Sequence, residues 1–190
     1  MALNDYFKKM RVVYVARNPR DVCVSYYHHQ CSLISAEFIG NFPEFLDFWC
    51  RDLCRQGPFW EHLKEAWAKR NHRNILFLFY EDMKENLMRE LKRLNAFLGT
   101  GLTEHQLQQV AEHTNISQMK NRKSVNPPPE SYSERAKKEG TQDFIRKGAT
   151  GDWVKFITPD LETKFQAWIK KGGEIAKEIP FQYLASEAQK

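Results

Sequence analysis

The chain has 190 residues, a mass of 22.5 kDa and a formal net charge of +5. It is long enough to bury one core and falls in the size range of one domain. With 42% hydrophobic, 28% charged and 13% aromatic residues it is neither a disordered nor a low-complexity chain. No apolar run approaches the roughly 20 residues of a membrane span. The opening residues lack the basic-then-apolar pattern of a secretory signal. A cytoplasmic protein with no membrane contact is expected.

Residues 11–16, RVVYVA, are rich in β-branched side chains and read as a buried strand. The strand stops at Arg17-Asn18-Pro19, where Asn18 suits an N-cap and Pro19 the first helical position. The helix that follows carries Val22, Val24, Ser25 and Tyr26. A second helix is expected from about Pro43, with Phe45, Phe48 and Trp49. A third runs from about Pro58 to Arg70, with Phe59, Leu63, Ala66 and Trp67 on one face. Residues 74–80, NILFLFY, form the second convincing strand. Helices follow near 85–98 and 103–113, the latter opened by the capping-box spacing of Thr103 and Gln106. Residues 121–145 look irregular, with three prolines in a row, and a loop of that length is usually functional or mobile. A last helix starts at Thr158-Pro159 and ends at Gly172-Gly173.

Two buried strands separated by helices imply a parallel sheet within an α/β fold. Two strands are few for such a sheet, so neighbouring strands are expected to be missing on the N-terminal side.

Cys23, Cys31, Cys50 and Cys54 form no C-x-x-C pair and read as reduced, packed thiols; no metal site is expected. Between Lys120 and Gly148 eight basic residues face four acidic ones, so most of the net charge sits in one segment. Such an excess attracts an anionic ligand or simply solvates a loop. Nucleic acid is not the expected partner, because the overall excess is small and no nucleic-acid motif occurs.

Arg17 follows the carboxyl end of the first strand, where ligands bind in open α/β sheets. Ser25 lies eight residues on, and the two can meet one anion as a charged fork and a hydroxyl. Equally, Arg17 can pair with Asp21 and Ser25 can be a small packed residue. Arg146-Lys147-Gly148 is the second constellation: two cations, then a glycine that lets backbone N–H groups come close to a phosphate. Trp153, just beyond, reads as a structural anchor.

Three segments carry a family resemblance. Residues 13–28, VYVARNPRDVCVSYYH, residues 78–86, LFYEDMKEN, and residues 146–153, RKGATGDW, resemble the cytosolic sulfotransferases, in family order and at family-like spacing. The resemblance implies a P-loop-NTPase-like parallel sheet with flanking helices, here incomplete. It implies transfer of a sulfonate group from 3'-phosphoadenosine 5'-phosphosulfate (PAPS) to a hydroxyl or amine of a small molecule, leaving adenosine 3',5'-bisphosphate (PAP). By the same resemblance Arg17, Ser25, Arg146, Lys147 and Gly148 bind the 3'-phosphate, and Tyr80, Thr114, Ile116 and Met119 border the adenosine. Ile116 stands where relatives often carry an aromatic residue, so base stacking is replaced by aliphatic packing. The loop about 121–145 is expected to be mobile and to close over the acceptor.

The family's sulfonate-binding loop, of lysine-serine-glycine-threonine-threonine-tryptophan type, does not occur in the sequence, nor does a histidine at the catalytic position; His28 and His29 read as a polar helix face. Residues 1–190 are therefore expected to be a partial sulfotransferase domain with no catalytic residue of its own. The alternative is a non-catalytic, truncated paralogue that binds adenosine bisphosphate or a partner. The dimer motif of relatives, K-x-x-x-T-V-x-x-x-E, aligns with Val154, Thr158, Pro159 and Thr163, and only Thr158 matches, so that contact is expected to be weak or absent.

Overall fold

The computed structural model describes residues 10–181. Two strands, β1 (Val12–Ala16) and β2 (Ile75–Phe79), pair in parallel, with Val12 opposite Ile75 and Ala16 opposite Phe79. A parallel pair needs a long crossover. Here it consists of three helices: α1 (Pro19–Ser32), α2 (Phe42–Cys50) and α3 (Phe59–Ala68). After β2 come α4 (Tyr80–Glu85), α5 (Leu87–Leu98), α6 (Glu104–His113), α7 (Ile116–Lys120), α8 (Glu134–Glu139), α9 (Pro159–Lys171) and α10 (Gly173–Glu178). This is an α/β arrangement of a small parallel sheet with flanking helices.

The caps read at Asn18 and at Thr103 with Gln106 are present, and α2 carries one that was not read. The Asn18 side chain accepts from the Arg20 N–H at 2.9 Å and Pro19 opens α1. Asn41 and Glu44 form a capping box on α2, and Thr103 and Gln106 form one on α6. The core is aromatic. Trp49, Trp60, Phe165 and Trp168 bury their rings against one another, which joins α2 and α3 to α9. Arg20, 1% exposed, ties α1 to α9 through a two-point ion pair with Glu162, its guanidinium over the Trp153 ring at 4.9 Å. Trp153 is buried in the same core, as an anchor should be. Cys23, Cys31 and Cys50 are free and buried.

Four expectations need correction. β1 is buried on one face only: Ala16 is inside, but Val13 and Val15 are 39% and 47% exposed, because no described residue covers that side. Tyr80 leaves the strand and starts α4. The helix over 159–171 ends at Gly172 as read, but it is not the last, because the chain turns at Gly173 (φ +58°) into α10. Residues 121–145 are not wholly irregular, since they hold a 3-10 turn (Pro129–Ser131) and α8. That helix is tied to α1: the Ser133 hydroxyl donates to the Cys31 carbonyl at 2.6 Å and the Ser133 N–H to the Ser32 carbonyl at 2.8 Å. Arg135 reaches the Gly40 carbonyl at 2.8 Å. Among the described residues no helix is long and apolar enough to cross a membrane.

Candidate functional site: an anion-binding cavity at the strand ends

The register that sets Ala16 beside Phe79 also sets the next residues, Arg17 and Tyr80, beside each other at the carboxyl end of the sheet. The Arg17 guanidinium lies over the Tyr80 ring at 4.3 Å, a cation–π contact. Arg17 Nη2 donates to the Ala149 carbonyl at 3.0 Å and lies 4.0 Å from the Asp21 carboxylate. Its Nε is buried with no partner. Arg17 thus pairs with Asp21, as the sequence allowed, and it also reaches the 146–151 loop.

That loop forms the opposite wall. Arg146 and Lys147 both bond the Asp152 carboxylate, the lysine at 2.7 Å. Burial opposes ionisation of Asp152, but Lys147 and Arg146 hold its carboxyl well below the usual carboxylate range. Gly148 adopts φ +61°, a conformation that favours glycine, and a Cβ there would press on the end of the Ile116 side chain and make it shift. Asn115 caps α7 and fixes Ile116 at its first position, facing Gly148.

Between the walls is a cavity of about 690 Å³. Arg17, Ser25, Tyr80, Thr114, Ile116, Met119, Arg146, Lys147 and Gly148 all line it. They come from five separate places in the sequence, the first and last 131 residues apart. The sequence did not single out Lys84, which also lines the cavity one turn along α4 from Tyr80; the i, i+4 spacing would have revealed it had α4 been recognised. It likewise gave no role to Asp152, or to Glu81, a buried carboxyl that accepts from the Asn18 N–H at 2.9 Å.

Two smaller cavities, each of about 440 Å³, adjoin the first. One is lined by Tyr26, Trp49 and Phe59 and shares Arg17 and Ser25 with the main cavity. The other is lined by His28, His29, Ser32 and Phe144 and shares Ser25, Arg146 and Lys147. Ser25 therefore stands where all three meet. His28 and His29 are not a solvated helix face but half-buried walls. Burial, with Arg146 alongside, pushes the His28 imidazole down to about 4, so it is neutral near pH 7.

A guanidinium with an unsatisfied N–H, two ammonium groups, a second guanidinium, a hydroxyl and a glycine with positive φ suit a phosphate-bearing ligand. No described group of three or more His, Cys, Asp or Glu is placed to hold a metal ion.

The sequence matches the family described as the sulfotransferase domain over residues 3–179. It is 34% identical over 158 residues to guinea-pig (Cavia porcellus) sulfotransferase 1E1, covering 83% of this chain and 53% of that protein. It is 37% identical over 166 residues to mouse (Mus musculus) sulfotransferase 1 family member D1, covering 85% and 54%. The chain spans about half the length of these curated relatives. Among solved structures it is similar to retinol dehydratase in complex with androsterone and the inactive cofactor PAP, with TM-score 0.82, 35% identity and coverage of 95% of this chain and 51% of that one. It is also similar to mouse sulfotransferase SULT7A1 complexed with PAP, with TM-score 0.77, 25% identity and coverage of 93% and 64%.

Proposed function

Because this chain belongs to the sulfotransferase domain family, we propose that its 690 Å³ cavity binds PAP and the corresponding donor, PAPS. The observation that carries this reading is the convergence of Arg17, Ser25 and the 146–148 segment on one cavity. The residues present fit the ligand. The orphan Arg17 Nε, the Ser25 hydroxyl, Lys147 and Arg146 would meet the 3'-phosphate, and Gly148 leaves space that any Cβ would fill. Tyr80, Thr114, Ile116 and Met119 would border the adenosine. The neighbours' complexes with PAP support the same ligand.

PAPS supplies an activated sulfonate, and the protein's part is to hold the nucleotide and bring an acceptor to it. The acceptor would be a small molecule with a hydroxyl or amine. The aromatic cavity at Tyr26, Trp49 and Phe59 adjoins the nucleotide cavity through Arg17 and Ser25 and would take the acceptor's apolar body.

Transfer also needs cations at the leaving phosphosulfate and a base at the acceptor hydroxyl. The 190 residues offer the 3'-phosphate anchor but not the family's sulfonate-binding loop or catalytic histidine. We therefore propose that this chain alone binds nucleotide without turning over. Binding through a remote phosphate accelerates nothing unless the reacting centre is complete. Titrating the 190-residue protein with PAP tests the first statement: saturable binding is expected, and no binding overturns it. Incubation with PAPS and a panel of phenols, alcohols and amines tests the second: sulfonated product, lost on Arg17→Ala, would show that the catalytic groups lie within this chain.

A further inference from the structure

We propose that Asp21 is a positioning residue of the anion site, a buried carboxylate that locks Arg17 to the 146–151 loop without touching the ligand. The inference rests on the nucleotide reading above.

Asp21 is the third residue of α1. An acid at that position ordinarily reaches back to the N–H of the N-cap residue. Here Glu81 takes that duty from α4, since the Asn18 N–H donates to Glu81 Oε1 at 2.9 Å. Asp21 is thereby left to turn outward. Its Oδ2 accepts from the Gly151 N–H at 2.8 Å, across 130 residues of sequence, and lies 4.0 Å from Arg17 Nη2. Arg17 in turn donates to the Ala149 carbonyl. One carboxylate thus holds both walls of the cavity, and it is not itself among the residues that line the cavity.

Asp21 is 2% exposed, so water screens its charge little. It faces Arg17, the Gly151 N–H and, at longer range, the buried Glu81. Without it, the Gly151 N–H loses its acceptor, the loop carrying Arg146, Lys147 and Gly148 loses its tie to α1, and Arg17 keeps only Ala149 and Tyr80. The groups that lose alignment are those assigned to the 3'-phosphate. Adenosine 5'-monophosphate has no 3'-phosphate, so the ratio of the two affinities isolates alignment from general loss of structure.

The test is calorimetric titration of the wild-type chain, Asp21→Ala and Asp21→Asn with PAP and with adenosine 5'-monophosphate. We expect Asp21→Ala to weaken PAP tenfold or more and to leave the monophosphate within twofold. Asp21→Asn keeps an acceptor for Gly151 but no charge, and should lie between. If the alanine variant does not fold, the asparagine variant decides alone, with at least a threefold drop in the affinity ratio expected. PAP affinities within twofold of wild type, or equal weakening of both ligands, overturn the proposal. A wild-type chain that binds neither ligand overturns the nucleotide reading and this inference with it.

Discussion

The Arg17 guanidinium lies 4.3 Å above the Tyr80 ring because Ala16 and Phe79 are partners in the parallel register. The sheet therefore delivers a cation and an aromatic ring to one rim, and Ala149 holds the cation from the other side. On the nucleotide reading, Arg17→Ala removes one charge-assisted hydrogen bond of roughly 1.5–3 kcal/mol. That corresponds to about a 10- to 150-fold loss of PAP affinity. Arg17→Lys keeps the charge but not the planar fork, so it should recover only part of the loss. Direct titration measures both; an unchanged affinity in the alanine variant removes Arg17 from the site.

The site was legible in the sequence because its parts are punctuated. Asn18-Pro19 ends a strand and starts a helix, which fixes Arg17 at the strand end, and Gly148 and Gly151 follow directly on the cations Arg146 and Lys147. Thr114, Ile116 and Met119 could be named only by resemblance, since α7 is a single turn with no periodicity to read. An aromatic at the end of an apolar run reads as strand, so the sequence extends β2 to Tyr80; the following Glu81-Asp82 suits a helix start, and the helix wins. α8 is hard to see in the sequence because three prolines precede it and its six residues carry little apolar pattern; Ser133, its cap, is the available signal. Asp21 reads from the sequence as a partner of Arg17, but its bond to the Gly151 N–H, like the role of Asp152, is hidden for a different reason. Their partners lie across the cavity or in a loop whose shape only the folded chain defines.

Gly148 and Ile116 make a separable test of the cavity's shape. A side chain at Gly148 must adopt φ +61° and meet Ile116. Gly148→Ala should therefore cost about 1–2 kcal/mol of stability from the left-handed backbone, before any clash. Adding Ile116→Ala removes the clash but not the backbone cost. The double variant should be more stable than the sum of the single changes predicts. Urea unfolding of the four proteins gives the coupling; strict additivity would mean that the two residues do not touch.

Residues 154–163 should not support the family's usual dimer contact. Val154 is 57% exposed, and Pro159 opens α9 without a backbone donor to offer a partner. The Thr163 hydroxyl is turned back onto the Pro159 carbonyl at 3.2 Å. Sizing by light scattering at micromolar concentration should find no dimer that Val154→Asp disrupts. A tight dimer abolished by that change would show that the segment associates despite the altered motif.

His28 should make the fold sensitive to mild acid. Its imidazole is half-buried, touches Phe156 edge-on at 5.1 Å, and faces Arg146, Lys147 and Arg135, with Asp152 the one opposing charge. Burial first, then Arg146, pushes it down to about 4 from the ordinary 6.5. The folded state therefore resists a proton that the unfolded chain accepts. The unfolded chain binds more protons between those two values, so stability is full above pH 6.5 and falls as pH drops toward 4. After discounting for the solvent that reaches the ring, the loss is about 1–2 kcal/mol. His28→Gln cannot titrate and should lack this component. Unfolding free energies at pH 7.5 and 4.5 should show the wild-type chain losing more than the glutamine variant. Asp152 titrates below that window and contributes equally to both proteins. Equal losses in the two proteins would mean that the imidazole is hydrated and free to protonate in the folded state.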